Sequence, residues 1–128
     1  MTQEDKDLLL KDLCARLPYG VIVNVKGFDY DYNDKLTQIY KGVGCSIQVT
    51  TNMPYDIEQV KPYLFPLSSM TEEQMFDFAT VQAENCKGSY PTLSECSAII
   101  DWGYKHHFDI YGLIPMGLAI DATGLNIY

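Results

Sequence analysis

The chain has 128 residues, 47% of them hydrophobic and 20% charged, and a formal net charge of −8. That length suits one domain, 1–128, and that balance suits a packed core rather than a disordered chain. The charge is concentrated in residues 71–128, where eight acids face only Lys87 and Lys105, so non-specific binding to a phosphate backbone is disfavoured, while a basic partner or simple solubility both fit.

No apolar run approaches the roughly 20 residues that span a bilayer. The opening "MTQEDKDLLLKDL" lacks the long uncharged stretch and the cleavage site of an export signal, so a cytoplasmic location without membrane attachment is expected. The cysteines, Cys14, Cys45, Cys86 and Cys96, stand beside apolar residues and are expected to be reduced and buried.

In chain order, residues 3–17 read as a helix. Thr2 suits the N-cap, Glu4 and Asp5 suit the positive end of the helix dipole, and Pro18 stops the run. Leu10, Leu13, Cys14 and Leu17 recur at helical spacing and form the expected inner stripe. A meander of three antiparallel strands follows at 20–28, 35–42 and 45–51. Its clearest signal is the alternation of Val21, Val23 and Val25 with Ile22, Asn24 and Lys26.

The stretch "FDYDYNDKLTQIY" between the first two strands places Asp29, Asp31 and Asn33 at the one-three-five spacing of a calcium loop. Such a loop needs Gly at its sixth position and an acidic residue at its twelfth, where this chain has Asp34 and Tyr40. The stretch therefore reads as a turn, and no metal is expected there.

Pro54, Pro62 and Pro66 punctuate residues 51–70. "DIEQV" reads as one helical turn and "PYLFPL" as extended chain against the core. Capping boxes at Thr71 with Gln74 and at Thr92 with Glu95 open helices over 71–86 and 93–106. The first should turn Met75, Phe76, Phe78, Ala79, Ala83 and Cys86 inward, and the second Cys96, Ile99, Ile100 and Gly103. The tail predicts a short helix near 110–116 and a strand near 118–121. The expected class is α+β: a small antiparallel sheet, curled toward a barrel, packed with three helices and a short fourth.

Three stretches, "DKDLLLKDLCARLPYGV", "IEQVKPYLFPLSSMTEEQ" and "HHFDIYGLIPMGLAID", together resemble a group of small uncharacterised proteins from gut Bacteroidetes, their phages and mobile elements. The resemblance covers most of the chain and is weakest in the middle meander. It implies a bacterial or phage-encoded cytoplasmic protein. It carries no activity, cofactor or site residue with it.

Several groups of residues bear on chemistry or binding. His106 and His107 could act as a general base with Asp109 as orienter, although two histidines at a helix end also fit a purely structural role. Cys96 and His107, on one continuous helix, would stand about 16 Å apart and could not pair. Cysteine spacing is wrong for zinc, and "GVGCSI" lacks the third glycine and the helix of a dinucleotide fingerprint, so no cofactor is expected. Tyr30, Tyr32 and Tyr40 cluster around the first hairpin as candidate binding residues, because tyrosine combines large contact area with a polar tip. The reading that follows is a non-enzymatic interaction or accessory module with an unidentified protein partner, self-association being left open. The alternative is a small hydrolase or modifying enzyme using His106 or His107.

Overall fold

The computed structural model describes residues 1–27, 29–42, 44–49, 54–85 and 93–128, with the side chains of 40–42, 44–49, 54, 85 and 93–96 left aside. The first helix, α1, spans Gln3–Arg16. Its start is the expected capping box: Asp5 N–H donates to Thr2 Oγ1 at 3.1 Å, and Thr2 N–H donates to the Asp5 carboxylate at 3.3 Å. It gives way to a 3₁₀ turn at Leu17–Tyr19 that contains Pro18, and Gly20 then reverses the chain with φ of 75°.

The buried face of α1 is not the expected one. Leu9, Asp12, Leu13 and Arg16 are buried, whereas Leu10 and Leu17 are only half-buried and Cys14 is exposed. The face is rotated by about one residue because a charged pair goes inside. Arg16 donates from Nε to Asp12 Oδ2 at 2.7 Å and from Nη2 to Asp12 Oδ1 at 3.0 Å. The same Nη2 donates to the Phe108 carbonyl at 2.6 Å, and the guanidinium lies over the Tyr104 ring, 4.8 Å from its centre. Burial holds the Asp12 carboxyl above its usual range, and Arg16 offsets only part of that rise.

Six strands form one sheet in the order β4-β3-β2-β1-β5-β6. They are β1 (Ile22–Lys26), β2 (Asp31–Gly42), β3 (Gly44–Val49), β4 (Pro54–Asp56), β5 (Val60–Leu64) and β6 (Ile120–Asp121). The β1–β2–β3 meander is antiparallel, as expected, and β4 and β5 extend the antiparallel pairing on either side. β6 pairs with β5 in parallel, which makes the sheet mixed. The sheet is open, with β4 and β6 as its edges, and does not close into a barrel.

β2 begins earlier than expected. Asp31 pairs with Lys26 and Asn33 with Asn24, so the turn is confined to the few residues before Asp31. A Cβ on Gly27 would stand 2.5 Å from the Tyr30 carbonyl oxygen, which is why the chain turns there on glycine. β5 was expected only as extended chain because Pro62 interrupts it. The β6 pairing reaches only Tyr63 and Leu64, so at Pro62 β5 has the β1 partner alone, a position that tolerates proline.

The main core lies between α1 and one face of this sheet. Leu9 and Leu13 meet Val21, Val23, Val25, Leu36, Val60 and Leu64, and Leu113 and Leu118 close it from the C-terminal segment. The expected short helix at 110–116 does not form. Asp109 accepts the Leu113 and Ile114 N–H groups on its carboxylate at 2.8 and 3.0 Å, and Gly112 takes a left-handed φ of 74°. These bonds replace the backbone ladder with a side-chain-capped turn. The expected strand nearby is β6.

Helices α2 (Glu72–Asn85) and α3 (Leu93–Lys105) pack on one another. The join is aromatic. Phe78 of α2 meets Trp102 of α3 with ring centres 5.3 Å apart, and Trp102 stacks on Phe108 at 5.6 Å and 13°. Gly103 permits close approach of the C-terminal segment, since a Cβ there would run into Ile110 Cδ1. Among the described residues no helix is long and apolar enough to cross a membrane.

Candidate functional site

The start of α2 follows the sequence closely: Gln74 N–H donates to Thr71 Oγ1 at 3.1 Å, and Thr71 N–H donates to Gln74 Oε1 at 2.9 Å. Which face it buries does not follow. Gln74, Phe78 and Val81 are half-buried toward the rest of the chain. Met75, Phe76, Ala79 and Ala83, four of the six residues expected inside, are exposed. Cys86 and Thr92 lie outside the described residues. On α3, Ile99 is half-buried and Gly103 buried as expected, but Ile100 is exposed.

The exposed set on α2 is ordered. Positions 75, 76, 79 and 83 fall on one side of an α-helix, opposite the side of 74, 78 and 81. Phe76 is 73% exposed and Met75 53%. Beside this stripe stand Glu73, Asp77 and Glu84, spaced so that all three return to one flank. The helix holds no lysine or arginine from Glu72 to Asn85. The reason sequence periodicity assigned these residues to the interior is plain: α2 has apolar residues on two sides, and only one side meets α3.

The hairpin tyrosines separate into different environments. Tyr30 is 72% exposed. Tyr32 packs against the core, and its hydroxyl meets that of Tyr55 on β4 at 2.5 Å, a bond that with partial burial pushes Tyr55 up to about 12. Rings 30 and 32 stand 6.0 Å apart and rings 32 and 55 6.2 Å apart, so one aromatic row runs from the core to the surface. The side chain of Tyr40 lies outside the described residues.

Two side chains of the calcium-like stretch, Asn33 and Asp34, form local bonds within the sheet. Asn33 Oδ1 accepts from Asn24 Nδ2 at 2.9 Å and from the Tyr63 hydroxyl at 2.8 Å, and Asp34 Oδ1 accepts from Lys35 N–H at 2.8 Å. Among the described residues, no three His, Cys, Asp or Glu side chains gather as metal ligands would.

The structure does not assemble His106, His107 and Asp109 into a catalytic group. Both Asp109 oxygens are engaged by backbone N–H groups in the turn at 109–114. His107 has a left-handed φ of 63°, and its ring stacks on Tyr128 at 3.7 Å and 8°. Its Nδ1 is buried with no hydrogen-bond partner among the described residues. Burial, followed by the charge of Arg16, lowers its pKa to about 4, so at neutral pH it is a neutral and very weak base. His106 lies against Trp102 with ring centres 4.5 Å apart, and burial lowers its pKa as well.

Tyr128 is the centre of a structural clasp. Its hydroxyl accepts the Ile22 N–H at 3.0 Å and donates to the Tyr63 carbonyl at 2.8 Å, tying the tail to β1 and β5. Burial pushes its pKa up to about 12. Beside it an open groove of about 390 Å³ is lined by Phe65, Ala122, Gly124, Asn126, Ile127 and Tyr128. Among the described residues that line it, Asn126 brings the one polar side chain apart from the Tyr128 hydroxyl, which is already engaged, so the described lining offers little chemistry.

Comparison of the chain with protein-family models, with curated proteins and with solved structures gives no match.

Proposed function

We propose that this chain is a non-enzymatic protein-interaction module whose contact surface is the outer face of α2. The observation that carries the proposal is Phe76, a large aromatic side chain 73% exposed on a helix whose opposite side already packs on α3. Exposed apolar residues scattered singly are ordinary, whereas four in a helical stripe mark a surface that a partner covers. Tyr30 offers a second exposed aromatic contact on the far side of the aromatic row. The resemblance read in the sequence adds a setting to this proposal, a bacterial cytoplasm and a phage or mobile element as the source. The enzymatic alternative draws no support from His107, whose lowered pKa and the engaged carboxylate of Asp109 leave that pair unable to act as base and orienter.

The experiment is position-specific crosslinking. A photoreactive residue at position 76 is compared with one at Lys26, which is exposed on β1. Protein adducts are expected at 76 and absent at 26. Equal labelling at the two positions, or none at 76, contradicts the reading.

A further inference from the structure

We infer that the occupant of the α2 face is a cationic amphipathic helix, laid along α2 with its apolar side on the stripe and its cations on one flank. This rests on the reading of α2 as the docking surface and adds the chemistry of the partner.

The shape of the stripe specifies the first half. Met75 and Phe76 are large and project at the N-terminal end, while Ala79 and Ala83 are small and follow one turn apart. Two small residues at that spacing let an approaching backbone come close beside the large Phe76 ring. A second helix meets such a surface with apolar residues recurring at three- and four-residue intervals, the pattern of helix-in-groove recognition. A strand or an irregular segment would match the stripe at a single point.

Charge specifies the second half. Glu73, Asp77 and Glu84 form a row along one edge of the stripe, and Glu72 stands at its start. None of these carboxylates takes part in an ion pair among the described residues. A partner with lysine or arginine along the matching edge would satisfy the row and fix its own orientation, since the other edge carries Gln82 and no acid. A second copy of this chain is the weaker fit, because each copy brings a net charge of −8 and the same acidic row. Nucleic acids and anionic membranes are repelled for the same reason.

The test uses the full chain and three synthetic peptides: a Leu/Lys amphipathic helix, its scrambled isomer, and a Leu/Glu helix of the same pattern. Affinities are measured by calorimetry at low and high salt. The Leu/Lys helix should bind at least about tenfold more tightly than its scrambled isomer, and the Leu/Glu helix should not bind. Phe76→Ala should weaken Leu/Lys binding by about tenfold or more, as loss of an aromatic anchor does. Glu73→Gln with Asp77→Gln should weaken it several-fold and flatten its salt dependence. Ala79→Trp, which blocks that close approach, should weaken it while leaving the fold intact. Because these residues are exposed, each variant is expected to fold, and its far-ultraviolet dichroism verifies that.

Equal binding of the scrambled peptide, indifference to Phe76→Ala, or a stable α2-mediated dimer in sedimentation would each overturn the inference. If position 76 crosslinks to a protein while the Leu/Lys helix fails to bind, the docking surface stands and the cationic partner does not. If both fail, both readings fall.

Discussion

Helices α1 and α2 are both 14 residues long, and the more charged one is the more buried. α1 carries Glu4, Asp5, Lys6, Asp7, Lys11, Asp12 and Arg16, yet it covers the sheet and buries even one of its ion pairs. α2 carries Met75, Phe76, Phe78 and Val81, yet only its Phe78 side rests on α3 and the stripe at 75, 76, 79 and 83 meets solvent. The difference shows that burial is decided by which elements the topology brings to a helix and only secondarily by its composition. α1 sits over the face on which Val21, Val23, Val25, Val60 and Leu64 converge. Among the described residues α2 meets the rest of the chain chiefly by packing on α3, and its second face is exposed.

The sharpest way to break that comparison is at the buried pair in α1. Asp12→Ala leaves Arg16 buried without its carboxylate and should cost about 3–5 kcal/mol in denaturant unfolding. Replacing the pair together, with Asp12→Leu and Arg16→Met, should recover much of that loss, because burial of two charges brings little net stability. Next comes the apolar side of the same helix: Leu13→Ala should cost about 2–5 kcal/mol, the range for a fully buried leucine. An Asp12→Ala chain as stable as the parent would mean that α1 is not the helix that closes the core.

The third effect is one of pH. The His107 pKa is depressed to about 4 in the folded chain, so below its ordinary value near 6.5 the unfolded chain takes up a proton that the folded one refuses. That contribution to stability is present in full above pH 6.5 and is lost as pH falls toward 4. Discounted for partial exposure of the ring, it amounts to about 1–2 kcal/mol. His107→Asn tolerates the left-handed backbone and does not titrate. Its unfolding free energy should therefore vary less between pH 4 and 6.5 than that of the parent, and an identical slope would remove His107 from the account. The smallest effect is at the helix starts. Thr2→Ala and Thr71→Ala each remove one capping bond, worth about 1 kcal/mol. In hydrogen exchange the Thr2 loss should register with global unfolding, and the Thr71 loss as fraying of α2 alone.

Much of the fold was legible in the sequence because the local signals were strong. Val21, Val23 and Val25 alternate as a half-buried strand must, and Thr2, Thr71 and Pro18 mark helix ends by chemistry that acts within a few residues. What was not legible depends on distant partners. The α1 face is set partly by the bond from Arg16 to the Phe108 carbonyl, 92 residues away. The predicted helix at 110–116 is lost to the Asp109 carboxylate, which competes for the same N–H groups. β5 is a strand despite Pro62 because of where β6 stops. The buried face of α2 was misread for the same reason: the sequence displays both apolar sides of α2 and no local signal says which one α3 will cover. Of the residues expected to bind or react, Tyr30 is on the surface, Tyr32 is half-buried against the core, the His107 ring stacks on Tyr128, and the Asp109 carboxylate accepts two backbone N–H groups.

The outer face of α2 as a partner surface rather than a core surface is tested most directly by the double substitution Met75→Ser with Phe76→Ser, with unfolding free energy and Leu/Lys peptide affinity measured on the same preparation. The expected result is a stability change within about 0.5 kcal/mol, as for ordinary surface positions, together with loss of peptide binding. A destabilisation of about 2 kcal/mol or more would show these residues to be packed like a core, and would contradict the assignment of this face to a partner.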